Sequence, residues 1–189
     1  MLRRSLGTFL LSLVIGGCAS RVVPDNNLVA ELSREDQAAQ MDKPVPRSDQ
    51  DRINLILHEI ALGRINTPED KVNAALILDH SPMTFRDNKL MAKSPDNYLL
   101  AHYLAKSAFD SGYRKAALLV AQTIDRYLSM TTGCQKYGTN RFINQSNGAE
   151  ELAPIDRKTT DEERSRLGVP PLAKLLSQYP EQKVLCRTG

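Results

Sequence analysis

Apolar residues recur along this chain at helical spacing, in runs separated by proline, glycine and small polar residues. Over about 28–42, Leu28, Ala30, Leu32, Ala38 and Ala39 stand among charges and predict a first helix, which Pro44 and Pro46 end. Ser48 caps a second over about 48–62, with Asp49 and Asp51 in the first turn, where the helix dipole favours acids. Ile53, Ile56, Leu57 and Ile60 form its apolar stripe, and Gly63 stops it. Thr67, Pro68, Glu69 and Asp70 set a cap, an N1 proline and two acids in order. The third helix they open runs through Val72, Ala75, Leu76 and Leu78 to Asp79 and His80. A polar loop follows over 81–94. Ser94 and Pro95 then open a fourth helix that carries Leu100, Ala101, Leu104, Ala105 and Ala108 and closes at Gly112. A fifth, about 113–130, carries Ala116, Ala117, Leu119, Val120, Ile124 and Leu128. The short turn between them makes an αα-hairpin whose small residues permit close packing. A helical array needs about three such units, and the chain has one.

The remaining third is loop-rich. Thr160 with Glu163 is a capping signature, Gly168, Pro170 and Pro171 interrupt it, and a short helix over about 171–178 precedes Cys186. No stretch alternates well enough to be a central strand. The expected fold class is all-α: a compact helical domain of about five helices with a loop-rich C-terminal segment and no convincing sheet.

The N-terminal pattern is of another kind. Arg3 and Arg4 precede the uncharged run SLGTFLLSLVIGG, which ends at Cys18. A basic start, a short apolar core and small residues before a cut form a secretory signal; the run is shorter than the ~20 apolar residues a spanning helix needs. Ile15-Gly16-Gly17-Cys18 resembles the lipobox of bacterial lipoproteins, in which the cysteine accepts a diacylglycerol and becomes the first residue. An ordinary signal peptide with an incidental cysteine is the alternative. The organisation expected is a signal peptide over 1–17, a tether over 18–27 and one helical domain over 28–189. Lipid on Cys18 would anchor the chain to a membrane, each buried methylene contributing about 0.8 kcal/mol. Ala19, where an aspartate would hold a lipoprotein at the inner membrane, points to the periplasmic face of the outer membrane.

Composition adds little beyond this. The formal charge of +3 falls to +1 once Arg3 and Arg4 are removed. No basic block remains to suggest nucleic acid. Besides Cys18, the cysteines are Cys134 and Cys186. In an oxidising compartment two cysteines match one disulfide, closing a loop of about 50 residues for roughly 3–4 kcal/mol. A free thiol or a metal pair is the alternative, though neither cysteine has a close cysteine or histidine in sequence.

Candidate chemistry is scattered. HExxH, GxSxG, the P-loop and the glycine-rich dinucleotide loop are all missing, and no cofactor or metal is expected. Of the three histidines, His58 reads as surface or boundary. His80 ends a helix, where the dipole favours it. His102 lies between Ala101 and Tyr103 in an apolar helix and needs a partner if buried. Asp125, on the antiparallel neighbour, is one possible acceptor. An imidazole held by a carboxylate serves a general base and a satisfied core histidine equally. Catalytic candidates are therefore His80, His102 and Asp125. The stretch CQKYGTNRFIN, from Cys134, offers Gln135, Tyr137, Gly138, Thr139, Asn140 and Arg141 either to an anion or carbohydrate or to the fold itself.

LLAHYLAKSAFDSGYRKAALLVAQTIDRYL, then CQKYGTN, then TTDEERSRLGVPPLAKLL, resemble the DUF6624 family of bacterial domains of unknown function. The resemblance covers roughly 30–178. The family's marked residues fall here on His80, Asp125, Arg126, Gln135, Tyr137, Gly138 and Thr139, and on Arg164 or Arg166 with Leu167, Gly168, Pro171 and Leu172. It implies a shared fold and no chemistry; the residues expected to bind a ligand are Arg126, Gln135, Tyr137, Gly138 and Thr139. Asp79 replaces an expected glutamine and Asn140 another. A carboxylate at 79 would raise the pKa of His80 beside it.

Three functions follow as expectations. The first is a periplasm-facing binding or interaction module for an envelope partner or small polar ligand. The second is a hydrolase-like enzyme using His80 or His102 with Asp125 and the 135–141 loop. The third is a purely structural envelope component.

Overall fold

The computed structural model describes residues 23–86, 89–144, 147–179 and 186. The signal segment 1–17, Cys18 and the first part of the tether lie outside the described residues. The fold is predominantly helical. Its main elements are α1 (Asn27–Ala39), α2 (Asp49–Ala61), α3 (Pro68–Asp79), α4 (Pro95–Asp110) and α5 (Ala117–Thr132), the last entered through a 3-10 turn at Arg114–Ala116. Two short helices follow, α6 (Asp161–Arg166) and α7 (Leu172–Leu176).

Local chemistry sets the starts. Asn26 accepts the Leu28 and Val29 N–H groups and opens α1. Ser48 with Asp51, Thr67 with Asp70 and Thr160 with Glu163 each form a reciprocal capping box. Ser94 holds the N-cap position of α4 without a side-chain cap bond; the Asn97 N–H goes to the Ser94 carbonyl at 3.2 Å. Gly133 ends α5 with φ 73°, a left-handed conformation that glycine adopts without a Cβ penalty.

Helix α4 packs between α3 and α5, and α1 and α2 lie against α3. Alanines line the contact: Ala74 and Ala75 on α3, Ala101, Ala105 and Ala108 on α4, and Ala121 on α5 are fully buried. Val29, Leu32, Ile53, Ile56, Ile77, Leu78 and Leu119 complete the main core. The expected α2 stripe loses one member, since Leu57 is exposed and Glu59 is buried in its stead. Glu59 accepts a hydrogen bond from the Asn26 amide at 2.7 Å, which ties α2 to the start of α1.

Two segments expected as loop are small antiparallel hairpins. Strands β1 (Met83–Arg86) and β2 (Lys89–Ala92) pair Met83 with Ala92 and Thr84 with Met91. Strands β3 (Arg141–Ile143) and β4 (Glu150–Leu152) pair Arg141 with Leu152. Neither shows an alternating apolar face, because neither is a layer of the core: Arg141, Phe142 and Ile143 are all exposed. Leu152 at the end of β4 joins Ile155 and Leu175 in a small second core. Cys134, just after α5, is joined to Cys186 by a disulfide with Cα atoms 5.9 Å apart. Among the described residues no helix is long and apolar enough to cross a membrane.

Candidate functional site

Asp125 is fully buried on the inner face of α5. Its carboxylate collects the loop that follows. Oδ1 accepts the Lys136 and Tyr137 N–H groups at 2.8 and 2.7 Å, and Oδ2 accepts the Thr139 N–H and hydroxyl, each at 2.8 Å. Burial pushes this carboxyl above the ordinary aspartate range, against the opposing pull of those donors. The pairing of His102 with Asp125 expected from the sequence is not made. Both carboxylate oxygens are occupied by the loop, and the His102 Nδ1 turns to the Val120 carbonyl at 3.1 Å.

The loop is closed from three other sides. Gln135, fully buried, donates through Nε2 to the Asn140 and Ala153 carbonyls at 3.0 and 2.7 Å and accepts the Asn140 N–H at 2.7 Å. Arg164 on α6, also fully buried, donates to the Tyr137 carbonyl at 2.5 Å and the Lys136 carbonyl at 3.3 Å. Gly138 has φ 83°, and a Cβ there would lie 2.3 Å from Leu175 Cδ2 and 2.8 Å from Ile155 Cδ1. The polar groups of Gln135 and Thr139 and the open side of Gly138 are therefore spent inside the fold. Of the loop residues marked as ligand-binding, Tyr137 borders one cleft and Gln135 another.

A second cluster gathers His80 and Arg126 away from that loop. His80 Nδ1 lies 2.6 Å from Asp36 Oδ2 on α1, a carboxylate 44 residues distant in sequence. Its neighbour Asp79 pairs instead with Arg126 at 3.2 Å, and Arg126 also donates to the Asp79 carbonyl at 2.5 Å. The guanidinium stands 5.8 Å over the ring of Tyr98. Arg52, fully buried on α2, sits 3.7 Å from Asp36 and pairs with Asp49. Asp79 Oδ1 is buried without a hydrogen-bond partner among the described residues. Burial pushes the Asp79 carboxyl up, Asp36 adds to that, and Arg126 and His80 pull the other way. Arg126 is thus held by the bundle, and His58 is exposed on α2 as expected.

The concave surface lies elsewhere, between α4, α5, the loop and α6. It encloses about 230 Å³. Phe109, Val120, Ile124, Tyr137 and Leu167 line it with apolar surface. His102, Lys106, Asp110, Lys136, Glu163 and Arg166 supply its polar groups. Because a carbonyl only accepts, His102 Nδ1 carries the proton toward Val120, and Nε2 is left as an acceptor. Burial holds the imidazole below its ordinary pKa, and the nearby Lys106 and Lys136 add to that. A second hollow of about 400 Å³ lies beside Cys134, lined by Leu128, Thr132, Asp156 and Lys158 among others. No three histidine, cysteine or carboxylate side chains gather as a metal site among the described residues.

Asp36, Lys106, Lys136 and the buried Arg52 escaped the sequence reading. Asp36 and Arg52 act through contacts between helices distant in sequence, for which no local spacing exists. Arg166 was marked only as an alternative to Arg164 in the family pattern. The i,i+4 spacing of Lys106 and Asp110 was a readable signal for one edge of the cleft. Comparison with protein-family models, curated proteins and solved structures found no match.

Proposed function

We propose that the protein is a lipid-anchored component of the cell envelope whose helical domain is a binding module for a small polar ligand held in the cleft between α4, α5 and α6. The observation that carries this reading is the cleft itself: an apolar floor with a ring of charged groups and an imidazole whose Nδ1 is held by the Val120 carbonyl. Such concave sites with a few convergent polar groups are the default binding surface of a small domain. The lipobox supports the anchor, and the disulfide between Cys134 and Cys186 suits an oxidising compartment. The DUF6624 resemblance supports a common fold and supplies no chemistry.

The test has two arms. Labelled palmitate should enter the full chain and be lost in Cys18→Ser. Protein isolated from its native envelope should carry a small molecule, detected by mass analysis of the extract, that is missing from Ile124→Trp, in which an indole fills the cleft. A chain that takes no lipid overturns the anchor. Wild-type protein that yields the same extract as Ile124→Trp overturns the binding module.

A hydrolase reading has one observation in its favour, the 2.6 Å contact of His80 with Asp36. It uses His80 as a base with Asp36 as the orienting group. Turnover of ester probes that disappears in His80→Gln would support it; turnover unchanged in that variant would refute it.

A further inference from the structure

Charge sets the ligand class. Three cations and two carboxylates line the cleft, an excess of one positive charge. Two of the cations are already engaged. Lys106 pairs with Asp110 at 2.5 Å, and Lys136 pairs with Glu163 at 3.4 Å. Glu163 is doubly used, since its other oxygen accepts the Thr160 N–H at 3.1 Å. Arg166 forms no ion pair or hydrogen bond among the described residues. It lies on the exposed side of α6, one residue from Leu167, which is buried in the cleft wall.

We infer that the cleft takes a small organic carboxylate, a single negative charge on a short apolar body, with the carboxylate on Arg166 and the body over Phe109, Ile124 and Leu167. The inference rests on reading this cleft as the binding site. A guanidinium offers a planar fork of N–H donors that fits the two oxygens of a carboxylate. A cationic ligand meets the same excess charge as repulsion. An inorganic anion satisfies Arg166 and leaves the apolar floor uncovered. The volume of about 230 Å³ falls below the ~300–1,000 Å³ usual for drug-sized ligands. The part of the ligand held within the cleft is then near a single ring or a short chain in size.

Phenylacetate, phenylacetamide and inorganic phosphate separate these features. Isothermal titration of the full chain at low salt should give saturable binding of phenylacetate. The neutral amide should bind at least about ten-fold more weakly, the smallest loss expected when a hydrogen bond to a charged group goes; phosphate, which keeps Arg166 but buries no apolar body, should also lose at least about ten-fold. Arg166→Gln should weaken phenylacetate by a similar factor, and Arg166→Lys should recover part of it by charge without the fork. Arg166 makes no ion pair or hydrogen bond among the described residues, and its charge acts on Glu163 only at a distance, so both variants should stay close to the wild-type urea midpoint. Equal binding of the amide, or unchanged binding by Arg166→Gln, overturns the carboxylate. If phenylacetate fails while a neutral molecule co-purifies in the cleft, the carboxylate is overturned and the binding module stands. If neither is found, both fall.

Discussion

Replacing Asp125 by asparagine changes almost no volume and removes one charge, so it isolates what that carboxylate does for the loop. In the native protein each oxygen takes two donors. An amide keeps one oxygen and turns an NH2 toward the other pair. Its better orientation places the NH2 against Thr139, because the hydroxyl can rotate and accept while the Lys136 and Tyr137 N–H groups cannot. That leaves the Thr139 N–H facing another donor. An orphaned buried donor costs about 1–3 kcal/mol, and bonds to a charged group lose about half of their ~1.5–3 kcal/mol when the charge goes. Arg164, still bound to the Tyr137 and Lys136 carbonyls, also loses a negative charge that favours its own. Against these losses stands a gain, since a neutral side chain escapes the burial penalty that pushes the Asp125 carboxyl up. The net expectation is a loss of about 2–3 kcal/mol, a large part of the ~5–15 kcal/mol that stabilises a typical domain.

Urea unfolding followed by far-ultraviolet circular dichroism measures that loss. Amide exchange locates it: Lys136, Tyr137 and Thr139 should lose protection while the α3 and α4 amides keep theirs. Asp125→Ala, which bares all four donors and opens a cavity, should cost more than Asp125→Asn. The reasoning is refuted if Asp125→Asn stays within about 0.5 kcal/mol of wild type, the ordinary range of a neutral surface change, with the three loop amides still protected.

Three further outcomes are expected. Gly138→Ala should cost about 2–5 kcal/mol, from a strained positive φ and forced repacking of Leu175 and Ile155. Gly133→Ala, also at positive φ but with open space around its Cβ position, should lose only the strain, and equal urea midpoints for the two variants would contradict this. The Asp79 carboxyl is raised in the fold, so the native state holds its proton more tightly than the unfolded chain does. Stability should then fall as pH rises from the unfolded value of about 3.9 through the folded one. Asp79→Gln should flatten that decline; parallel pH profiles for wild type and variant would refute it, with Arg126, His80 and Asp36 as the other charges facing the group. Reduction of Cys134–Cys186, or Cys186→Ser, should lower stability by up to about 4 kcal/mol for a loop of this length. Two free thiols in non-reducing mass analysis of the native protein would remove that contribution.

The helices were legible because their signals are local. Three capping boxes lie within four residues each, and the alanine-rich faces of α3, α4 and α5 are visible as spacing. Contacts between elements were not legible in the same way. Asp36 reaches His80 across 44 residues, and nothing near either one announces the other. His102 and Asp125 do sit on neighbouring helices, yet the nearest donors to Asp125 are the backbone of its own following loop. Backbone N–H groups carry no residue type, so a composition of side chains cannot reveal them. The hairpins escaped for a related reason: they pair by backbone at the surface, without the alternation that a buried face imposes.

The same geometry links closure of the loop to the cleft. Asp125 fixes the N–H groups of Lys136 and Tyr137 from inside, and their side chains then stand in the cleft wall. Arg164 clamps the same two carbonyls from α6, two residues before Arg166. Five of the residues marked by family resemblance, Asp125, Gln135, Gly138, Thr139 and Arg164, therefore spend their contacts holding the loop. On the proposed reading, recognition falls to Arg166, which lines the cleft beside that wall. Loosening the loop through Asp125→Asn should cost stability and cleft binding together, whereas Arg166→Gln should cost binding alone. If the two variants lost binding equally with no difference in stability, the loop would be a contact surface in its own right and not the wall that holds one.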